Sequence, residues 1–290
     1  DLQELNEGTH TITADATDLA DNAASQASTT FIYDKTLPSI DSVSFSWGSV
    51  LNSTEDNSNG IITVNTSGIE DGQTVTIVLN GHSYSNTINS NSTDITIPSS
   101  RLQALSEGTN TITTNVSDAA DNPASQVSTS FVYDITAVIN SITPSWGAYL
   151  NATEDNNNGT VTVETNGVED GQTLTIELNS NTYTGSISNN SVTITIQSDD
   201  LQALSEGSNT ITANVSDLAG NAASQASYTF TYDKSIPSID SIVTSWGTHL
   251  NSIEDNSNGT ITVTTSGVEN GQTLTVTMNS TDYTGSISNN

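Results

Sequence analysis

Apolar and polar residues alternate along most of this chain, with the period of two that is typical of half-buried β-strands. Val75, Ile77 and Leu79 alternate with threonine and valine, and Phe131 and Tyr133 end a second run of the same kind. Glycine, asparagine and aspartate separate these short runs, and these residues favour turns. The pattern therefore predicts many short strands joined by tight turns.

The same pattern recurs with a period of about 100 residues. The segment that begins at Trp47 and ends at Gly60 returns as Trp146 to Gly159 and as Trp246 to Gly259. A fixed period of this kind indicates a tandem array of one domain. The predicted domains are a partial repeat at 1–36, complete repeats at 37–136 and 137–235, and a second partial repeat at 236–290. Because both ends match repeats in mid-sequence, we expect the chain to be a segment of a longer protein.

One complete repeat contains seven predicted strands. They lie near residues 40–47, 61–66, 75–79, 84–88, 95–97, 112–116 and 127–133, with one helical segment inside 98–108. Seven short strands in about 100 residues predict an all-β, immunoglobulin-like β-sandwich. Trp47 is expected in the core of that sandwich or at a sheet edge, and not on a sugar-binding surface. An array of such domains predicts an elongated rod.

The charge balance limits the possible partners. Asp and Glu number 33 against three basic residues, for a formal charge of −30. Such a surface repels nucleic acid and anionic membranes, and it favours cations or simple solubility. The chain has no cysteine, so disulfides and thiolate metal sites are excluded. No apolar run approaches 18 residues, so direct membrane insertion of this segment is not expected.

The order of the strands predicts where the acidic loops meet. If successive strands reverse direction, the loop 52–59 and the outgoing linker at Asp134 share one end of a repeat. The incoming linker at Asp34 and the loops at 70–71 and 118–122 share the other end. A short linker places one end of a repeat against the opposite end of the next. Acidic residues should therefore gather at each junction, with neighbouring repeats of the same chain as partners.

Carboxylate and amide oxygens at this density suit Ca²⁺, which takes six to eight oxygen ligands. Two like charges about 4 Å apart repel by about 4 kcal/mol at an effective dielectric near 20. We therefore predict Ca²⁺ at the junctions, stiffening the array. The candidate ligands are Asp34, Asp134, Asp233, Asp18, Asp118, Asp217, Glu70, Asp71, Glu169, Asp170, Asn52, Glu55, Asp56, Asn151, Glu154 and Asp155, with Glu269 and Asn270 at the third junction. Some of them could form a site inside one domain, and the segment 56–60 could be only a solvated turn.

Four segments together resemble a known family. They are Tyr232 to Pro237, Gly167 to Asn179, Asn181 to Ile187 and Asn214 to Ser224. They are similar to the bacterial Ig-like repeats of giant type I-secreted RTX and biofilm-associated adhesins. The resemblance implies an extracellular segment on a bacterial cell surface. There it would project a distal adhesive tip, with Ca²⁺ stiffening the linkers and a host-surface or biofilm-matrix ligand bound elsewhere.

This chain departs from the family pattern at several positions. The linker from Asp134 to Val138 lacks the proline found at Pro38 and Pro237, so a looser second junction is expected. Gly220 replaces an aspartate of the other copies, and Asn270 stands where the other copies have aspartate. A weaker third junction follows from the second of these changes.

Functions other than the projection of an adhesive tip find less support in the sequence. His10, His82 and His249 occupy unrelated repeat positions, and no Ser-His-Asp set or phosphate-binding glycine loop is present. The chain is therefore not expected to be an enzyme, and His82 is expected in solvent. Two alternatives remain open: a surface filament that assembles laterally, and Ig-like modules that bind a glycan or a protein.

Overall fold

The computed structural model of this chain describes residues 2–289, apart from the side chain of residue 3. The polypeptide divides into two compact units. The first contains the residues up to Val138 together with Gly167–Gln172 and Ser216–Ala223, and the second contains Ile139–Asn166, Thr173–Val215 and the residues from Ser224 onward. Two loops of the second repeat thus belong to the first unit. The four-part division by sequence period stays a prediction.

Ten strands make up the first unit. They are β1 (Gly8–Ala14), β2 (Ala27–Tyr33), β3 (Ser39–Phe45), β4 (Val50–Leu51), β5 (Gly60–Ser67), β6 (Thr74–Leu79), β7 (His82–Thr87), β8 (Ser92–Ile97), β9 (Gly108–Asn115) and β10 (Val127–Tyr133). A short helix, α1 (Ser99–Leu102), precedes β9, and 3₁₀ turns occupy Leu2–Glu4 and Glu55–Asn57. The helical segment predicted inside 98–108 is confirmed as a single turn.

Strands β3 to β10 form the predicted immunoglobulin-like sandwich. One sheet has the order β3-β5-β8 and the other has the order β4-β10-β9-β6-β7, while β1 and β2 form a separate pair. Strand β4 was not predicted, because two residues just before the acidic loop 52–59 are too few to show an alternation. It pairs in parallel with the end of β10, where Val50 faces Val132 and Leu51 faces Tyr133.

The core of this sandwich is built from the residues that alternate inward. Ile62 and Val64 of β5 and Ile77 of β6 have no exposed surface, and burial of such side chains is the main stabilising contribution. Trp47 is 8% exposed, which confirms its predicted place in the core. Its ring lies 5.2 Å from that of Phe131, centroid to centroid, in an edge-to-face contact.

The second unit repeats the pattern. Its elements are β11 (Val138–Pro144), β12 (Tyr149–Asn151), β13 (Gly159–Asn166), β14 (Thr173–Leu178), β15 (Asn181–Ser186), β16 (Ser191–Ile196), α2 (Ser198–Gln202), β17 (Gly207–Asn214), β18 (Ala226–Asp233), β19 (Ser238–Thr244), β20 (Ile261–Ser266), β21 (Thr273–Met278) and β22 (Thr281–Ser286), with 3₁₀ turns at Glu154–Asn156 and Glu254–Asn256. The sheet orders are β11-β13-β16 and β12-β18-β17-β14-β15, and β19-β20 and β21-β22 form two separate pairs.

The last four strands form an open half of the same sandwich. Trp246 is half-buried there, whereas Trp146 is 7% exposed in the complete repeat. Among the described residues, no helix is both long and apolar enough to cross a membrane.

Candidate cation-binding junction

The turn between β9 and β10 is organised by Asp118. Its Oδ1 accepts hydrogen bonds from the backbone N–H groups of Ala120 and Asn122, and its Oδ2 accepts one from Asn122 Nδ2 at 2.9 Å. An aspartate that binds its own loop in this way stabilises a tight turn. Burial opposes ionisation of Asp118, but these three bonds prevail and hold the pKa of its carboxyl below the usual value.

The same turn recurs in each repeat that has this segment. Asp217 accepts from Asn221 N–H and Nδ2, each at 2.7 Å. Asp18 accepts from Asn22 in the same way, and these bonds lower the pKa of its carboxyl. The three aspartates predicted as metal ligands therefore have a defined role inside their own turns.

In the two later turns, the asparagine also holds the preceding linker. Asn122 Nδ2 donates to the carbonyl of Asp34 at 3.2 Å, and Asn221 Nδ2 donates to the carbonyl of Asp134 at 2.8 Å. These asparagines were not among the predicted site residues. Their recurrence four residues after each turn aspartate was a signal that could have identified them.

At the second junction, the loop after β4 meets the turn of the following repeat, and all of these residues belong to the first compact unit. Ser53 N–H donates to Asn221 Oδ1 at 2.8 Å, and Asn52 Nδ2 donates to the carbonyl of Ala219 at 2.9 Å. Both acceptor groups lie in the turn that Asp217 organises. The prediction that the loop 52–59 faces this turn is confirmed.

A glutamate of each repeat binds the linker from the other side. Glu107 accepts from Ile135 N–H at 3.1 Å and from the Thr136 hydroxyl. Glu7 binds residues 35 and 36 in the same way, and Glu206 binds residues 234 and 235. These glutamates were not among the predicted site residues, although they precede the same glycine in every copy.

Two further glutamates contact these turns. Glu70 lies in the loop after β5, and Glu169 lies in the equivalent loop after β13. Glu70 Oε2 accepts from Ala119 N–H at 2.9 Å, and Glu169 Oε2 accepts from Leu218 N–H at 2.8 Å. The carboxylates of Glu70 and Glu169 therefore lie beside the turns of Asp118 and Asp217. This agrees with the prediction that the loops at 70–71 and 118–122 share one end of a repeat.

Four carboxylates interact around the second linker. Burial raises the pKa of Asp134, and the negative charges of Asp217, Glu169 and Glu107 raise it further, while the hydrogen bond from Thr136 N–H opposes this rise. The basic side chains of the chain bind elsewhere. Lys35 and Lys234 lie over tyrosine rings and Arg101 contacts His82, which is exposed as predicted. The junction thus concentrates negative charge with no basic partner described.

The remaining predicted ligands of the first unit have other partners. Asn52 Oδ1 accepts from the N–H groups of Thr54 and Glu55, and Glu55 Oε2 accepts from Asn52 N–H, an arrangement like a capping box. Asp56 is 6% exposed, and its Oδ2 accepts from the Tyr133 hydroxyl at 2.6 Å. Segment 56–60 is therefore more than a solvated turn.

The second residue of the acidic pair at 70–71 holds a different loop. Asp71 Oδ1 accepts from Ser90 N–H at 2.7 Å, in the turn between β7 and β8. In the last repeat, Asn270 Oδ1 accepts from Asn289 N–H at the same distance. This bond survives the change from aspartate to asparagine, because an amide oxygen is also a hydrogen-bond acceptor.

The second unit contains the equivalents of the loop residues. Asn151 and Glu154 form the same reciprocal bonds, and Asp155 accepts from the Tyr232 hydroxyl. Asp233 Oδ1 accepts from Ser235 N–H at 2.9 Å, as the linker aspartates Asp34 and Asp134 do from residues 36 and 136.

The oxygen ligands available at the second linker are of the kind that a hard cation prefers. Carboxylates of Asp134, Asp217, Glu169 and Glu107 surround one short segment, and their mutual repulsion is what a divalent ion relieves. Within residues 2–289, no group of three or more His, Cys, Asp or Glu side chains is already arranged as a metal centre. A bound cation therefore requires these side chains to draw closer, or backbone carbonyls and water to complete its shell.

Fold and junction together define a class: tandem immunoglobulin-like sandwiches joined by short, acid-rich linkers. No protein-family model matches the chain, and no curated protein matches it. Among solved structures, a Ca²⁺-stabilised adhesin that helps an Antarctic bacterium bind ice is 22% identical over 97% of this chain and 71% of that chain, with a TM-score of 0.42.

Two more solved structures are similar. One, from a 1.5-MDa bacterial ice-binding adhesin, is 21% identical over 88% of this chain and 85% of that chain, with a TM-score of 0.47. A tetra-tandem repeat from the extending region of a large adhesion protein is 18% identical over 98% of this chain and 74% of that chain, with a TM-score of 0.33. Because each TM-score is below 0.5, the fold class is assigned from the strand pairing described above.

Proposed function

We propose that this chain is part of the extender region of a bacterial cell-surface adhesin. In this role, Ig-like repeats hold an adhesive tip away from the cell, and Ca²⁺ bound at the junctions stiffens the array. The partners are the neighbouring repeats, and the host-surface or biofilm ligand is bound by a part of the protein outside this segment. The sequence resemblance implies this role, and the geometry of the second linker supports it.

One observation carries the proposal. The linker at Asp134 is fixed by hydrogen bonds on both sides, from Asn221 to its carbonyl and from Ile135 and Thr136 to Glu107. At the same place, burial and the negative charges of Asp217, Glu169 and Glu107 disfavour the ionised carboxylate of Asp134. A spacer needs fixed linkers, and the repulsion opposes that need unless a cation neutralises it.

The test is a Ca²⁺ titration of the full chain by isothermal calorimetry, with thermal unfolding and small-angle scattering in Ca²⁺ and in excess chelator. We expect binding at micromolar to millimolar Ca²⁺, a higher melting temperature, and a longer, narrower distance distribution in Ca²⁺. Binding of one ligand to the folded state alone at about 100 times its Kd contributes about 2.7 kcal/mol of stability.

Two variants separate a junction site from general charge screening. Asp134→Asn keeps the acceptor for Thr136 N–H but removes one charge from the junction, and we expect it to weaken Ca²⁺ binding. Asp94→Asn removes a charge from an exposed position on β8, where Asp94 accepts from the Thr63 hydroxyl, and should leave binding unchanged. If both variants act alike, or if no heat appears at millimolar Ca²⁺, the calcium part of the proposal is wrong.

A further inference from the structure

The hairpin between β6 and β7 turns through Asn80 and Gly81. Leu79 and His82 pair to close it, and φ is 47° at Asn80 and 75° at Gly81. Positive φ at both central residues is typical of a two-residue type I′ turn, which favours the sequence Asn-Gly. Both residues of the turn are exposed to solvent.

In the later repeats, the same turn has serine in place of the glycine. Asn179 and Ser180 have φ of 50° and 65°, and Asn279 and Ser280 have φ of 50° and 60°. Serine thus adopts this turn, although a positive φ strains a residue that has a Cβ. Gly81 has no such strain, and a Cβ added to it would have nothing within 4 Å. The turn therefore accepts either residue, and the glycine changes its chemistry.

An asparagine that precedes glycine can lose its side-chain amide to the backbone. The backbone nitrogen of Gly81 attacks Cγ of Asn80, a new C–N bond closes a succinimide ring, and Nδ2 leaves as ammonia with the proton of that nitrogen. Water from the solvent then opens the ring at either carbonyl, which gives an aspartyl or an isoaspartyl residue. The reaction needs an unbonded backbone nitrogen, a side chain that can turn toward it, and room for the backbone to rotate.

The sequence contains six Asn-Gly pairs, and packing obstructs four of them at the glycine. A Cβ added to any of these four glycines would lie between 2.1 and 2.4 Å from a neighbouring atom, so the backbone is in close contact there and has little room to rotate. The four are Gly60 against the Trp47 ring, Gly159 against the Trp146 ring, Gly167 against the Thr136 carbonyl and Gly259 against the Trp246 ring.

Hydrogen bonds hold the fifth pair, Asn270 and Gly271. Gly271 N–H donates to the Ile287 carbonyl at 2.9 Å, and Asn270 Oδ1 accepts from Asn289 N–H at 2.7 Å. The nitrogen that would attack and the amide that would be attacked are therefore both engaged.

Asn80 and Gly81 form the sixth pair, which the fold leaves open. Within residues 2–289, no acceptor is described for the Gly81 N–H, and the side chain of Asn80 has one long bond, from Nδ2 to the Ala104 carbonyl at 3.5 Å. We propose that Asn80 is a site of spontaneous deamidation, which converts this turn to an aspartyl or isoaspartyl form while the fold protects the other five pairs. The inference goes beyond the proposed extender function and does not depend on Ca²⁺.

The conversion adds a negative charge and, in the isoaspartyl form, lengthens the backbone of the turn. The new carboxylate would arise within two residues of a basic pair, since His82 Nε2 lies 3.0 Å from Nη1 of Arg101. The longer backbone would disturb the pairing of Leu79 with His82. Because β7 lies at the edge of its sheet, we expect faster hydrogen exchange in β7 with the rest of the sandwich unchanged.

The experiment is prolonged incubation of the folded full chain in chelator, at mildly alkaline pH and in water labelled with heavy oxygen. Peptide mapping by mass spectrometry measures the loss of each side-chain amide and the uptake of labelled oxygen, and fragmentation separates aspartyl from isoaspartyl products. We expect Asn80 to convert about tenfold faster than the other five pairs or more, because about 1.4 kcal/mol of added barrier slows a reaction tenfold. In denaturant, the six pairs should convert at similar rates.

Two exchanges at the same position of the turn are matched controls. Gly81→Ser gives the first repeat the residue that Ser180 provides at φ of 65°, so the variant should fold, and conversion at Asn80 should fall to the level of Asn179. Ser180→Gly creates an Asn-Gly pair in the second repeat, and Asn179 should then convert as fast as Asn80. Asn80→Asp supplies the reference for the aspartyl product.

Three results would overturn the proposal. They are conversion of Asn80 no faster than that of the other pairs, equal conversion in Gly81→Ser and the parent chain, and the same ranking of the six pairs in denaturant as in the folded chain. None of these measurements involves Ca²⁺ or the spacing of repeats, so failure here is distinct from failure of the extender function.

Discussion

Asn221→Ala is the sharpest test of how the second junction is held. The side chain of Asn221 is 3% exposed and makes three hydrogen bonds beyond those of its backbone. It donates to the Asp134 carbonyl and to Asp217 Oδ2, and it accepts from Ser53 N–H. Alanine removes all three and leaves the partner groups without a replacement on that side.

The magnitude follows from the kind of bond lost. Two neutral bonds contribute about 0.5–1.5 kcal/mol each and a bond to a carboxylate about 1.5–3 kcal/mol, so the variant should lose roughly 3–5 kcal/mol. For a compact unit of about 150 residues, each kcal/mol lowers the melting temperature by about 2–4 °C. We therefore expect the transition of the first unit to fall by roughly 10 °C.

Differential scanning calorimetry of the full chain in chelator measures this change, and hydrogen exchange locates it. Exchange should accelerate at Ser53 N–H, which loses its acceptor. Asn122→Ala is the matched comparison, because Asn122 makes the bonds to Asp118 and to the Asp34 carbonyl, whereas the bond from Ser53 belongs to Asn221. It should destabilise less than Asn221→Ala. A melting temperature within about 2 °C of the parent, or a larger loss in Asn122→Ala, would refute this account of the junction.

Two further changes probe charge and packing. The folded-state pKa of Asp134 is raised, so ionisation of this carboxyl destabilises the fold. Without Ca²⁺, Asp134→Asn should therefore raise the melting temperature at pH 7. The gain should vanish below pH about 4, where the carboxyl is protonated in the unfolded state as well. The folded-state pKa of Asp118 is lowered, so Asp118→Asn should lower the free energy of unfolding at pH 7. This loss of stability should shrink as the pH falls through the folded-state pKa. Matching pH profiles for the two variants would contradict both assignments. In Gly60→Ala the new Cβ would lie 2.2 Å from Trp47 Cζ3, which should remove about 1–3 kcal/mol from the free energy of unfolding in urea. Gly285→Ala, with nothing within 4 Å of its Cβ, should be neutral, and equal losses would show that packing is not the cause.

Most of the sandwich could be predicted from the sequence because its strands are amphipathic. The alternation in β6 and β10 marks both their type and their buried face, so the seven predicted strands of the complete repeat are all present. Strand β4 escaped prediction because its two residues carry no periodic signal. Its pairing depends on contact with β10, about 80 residues away in sequence, and no local pattern reports such a contact.

The candidate site was predictable in outline and not in detail. Strand parity correctly placed the loop 52–59 against the turn of the following repeat, as the bond from Ser53 to Asn221 shows. Residue type alone did not reveal which oxygens were already in use. Asp56 and Asp134 are the same residue type, and both were predicted as ligands. Asp56 is buried and accepts from the Tyr133 hydroxyl, whereas Asp134 lies in the linker. Whether either binds a metal stays a prediction.

Asp134 joins its repeat to the next through three different groups. Its N–H donates to the Leu51 carbonyl of β4, its carbonyl accepts from Asn221 of the next turn, and its carboxylate lies among the acidic groups of the junction. The two backbone bonds do not require the carboxylate to be charged, so they hold the linker in either ionisation state. On the function proposed above, a cation would act on the carboxylate alone. Asp134→Asn should therefore weaken Ca²⁺ binding and leave both backbone bonds of the linker in place.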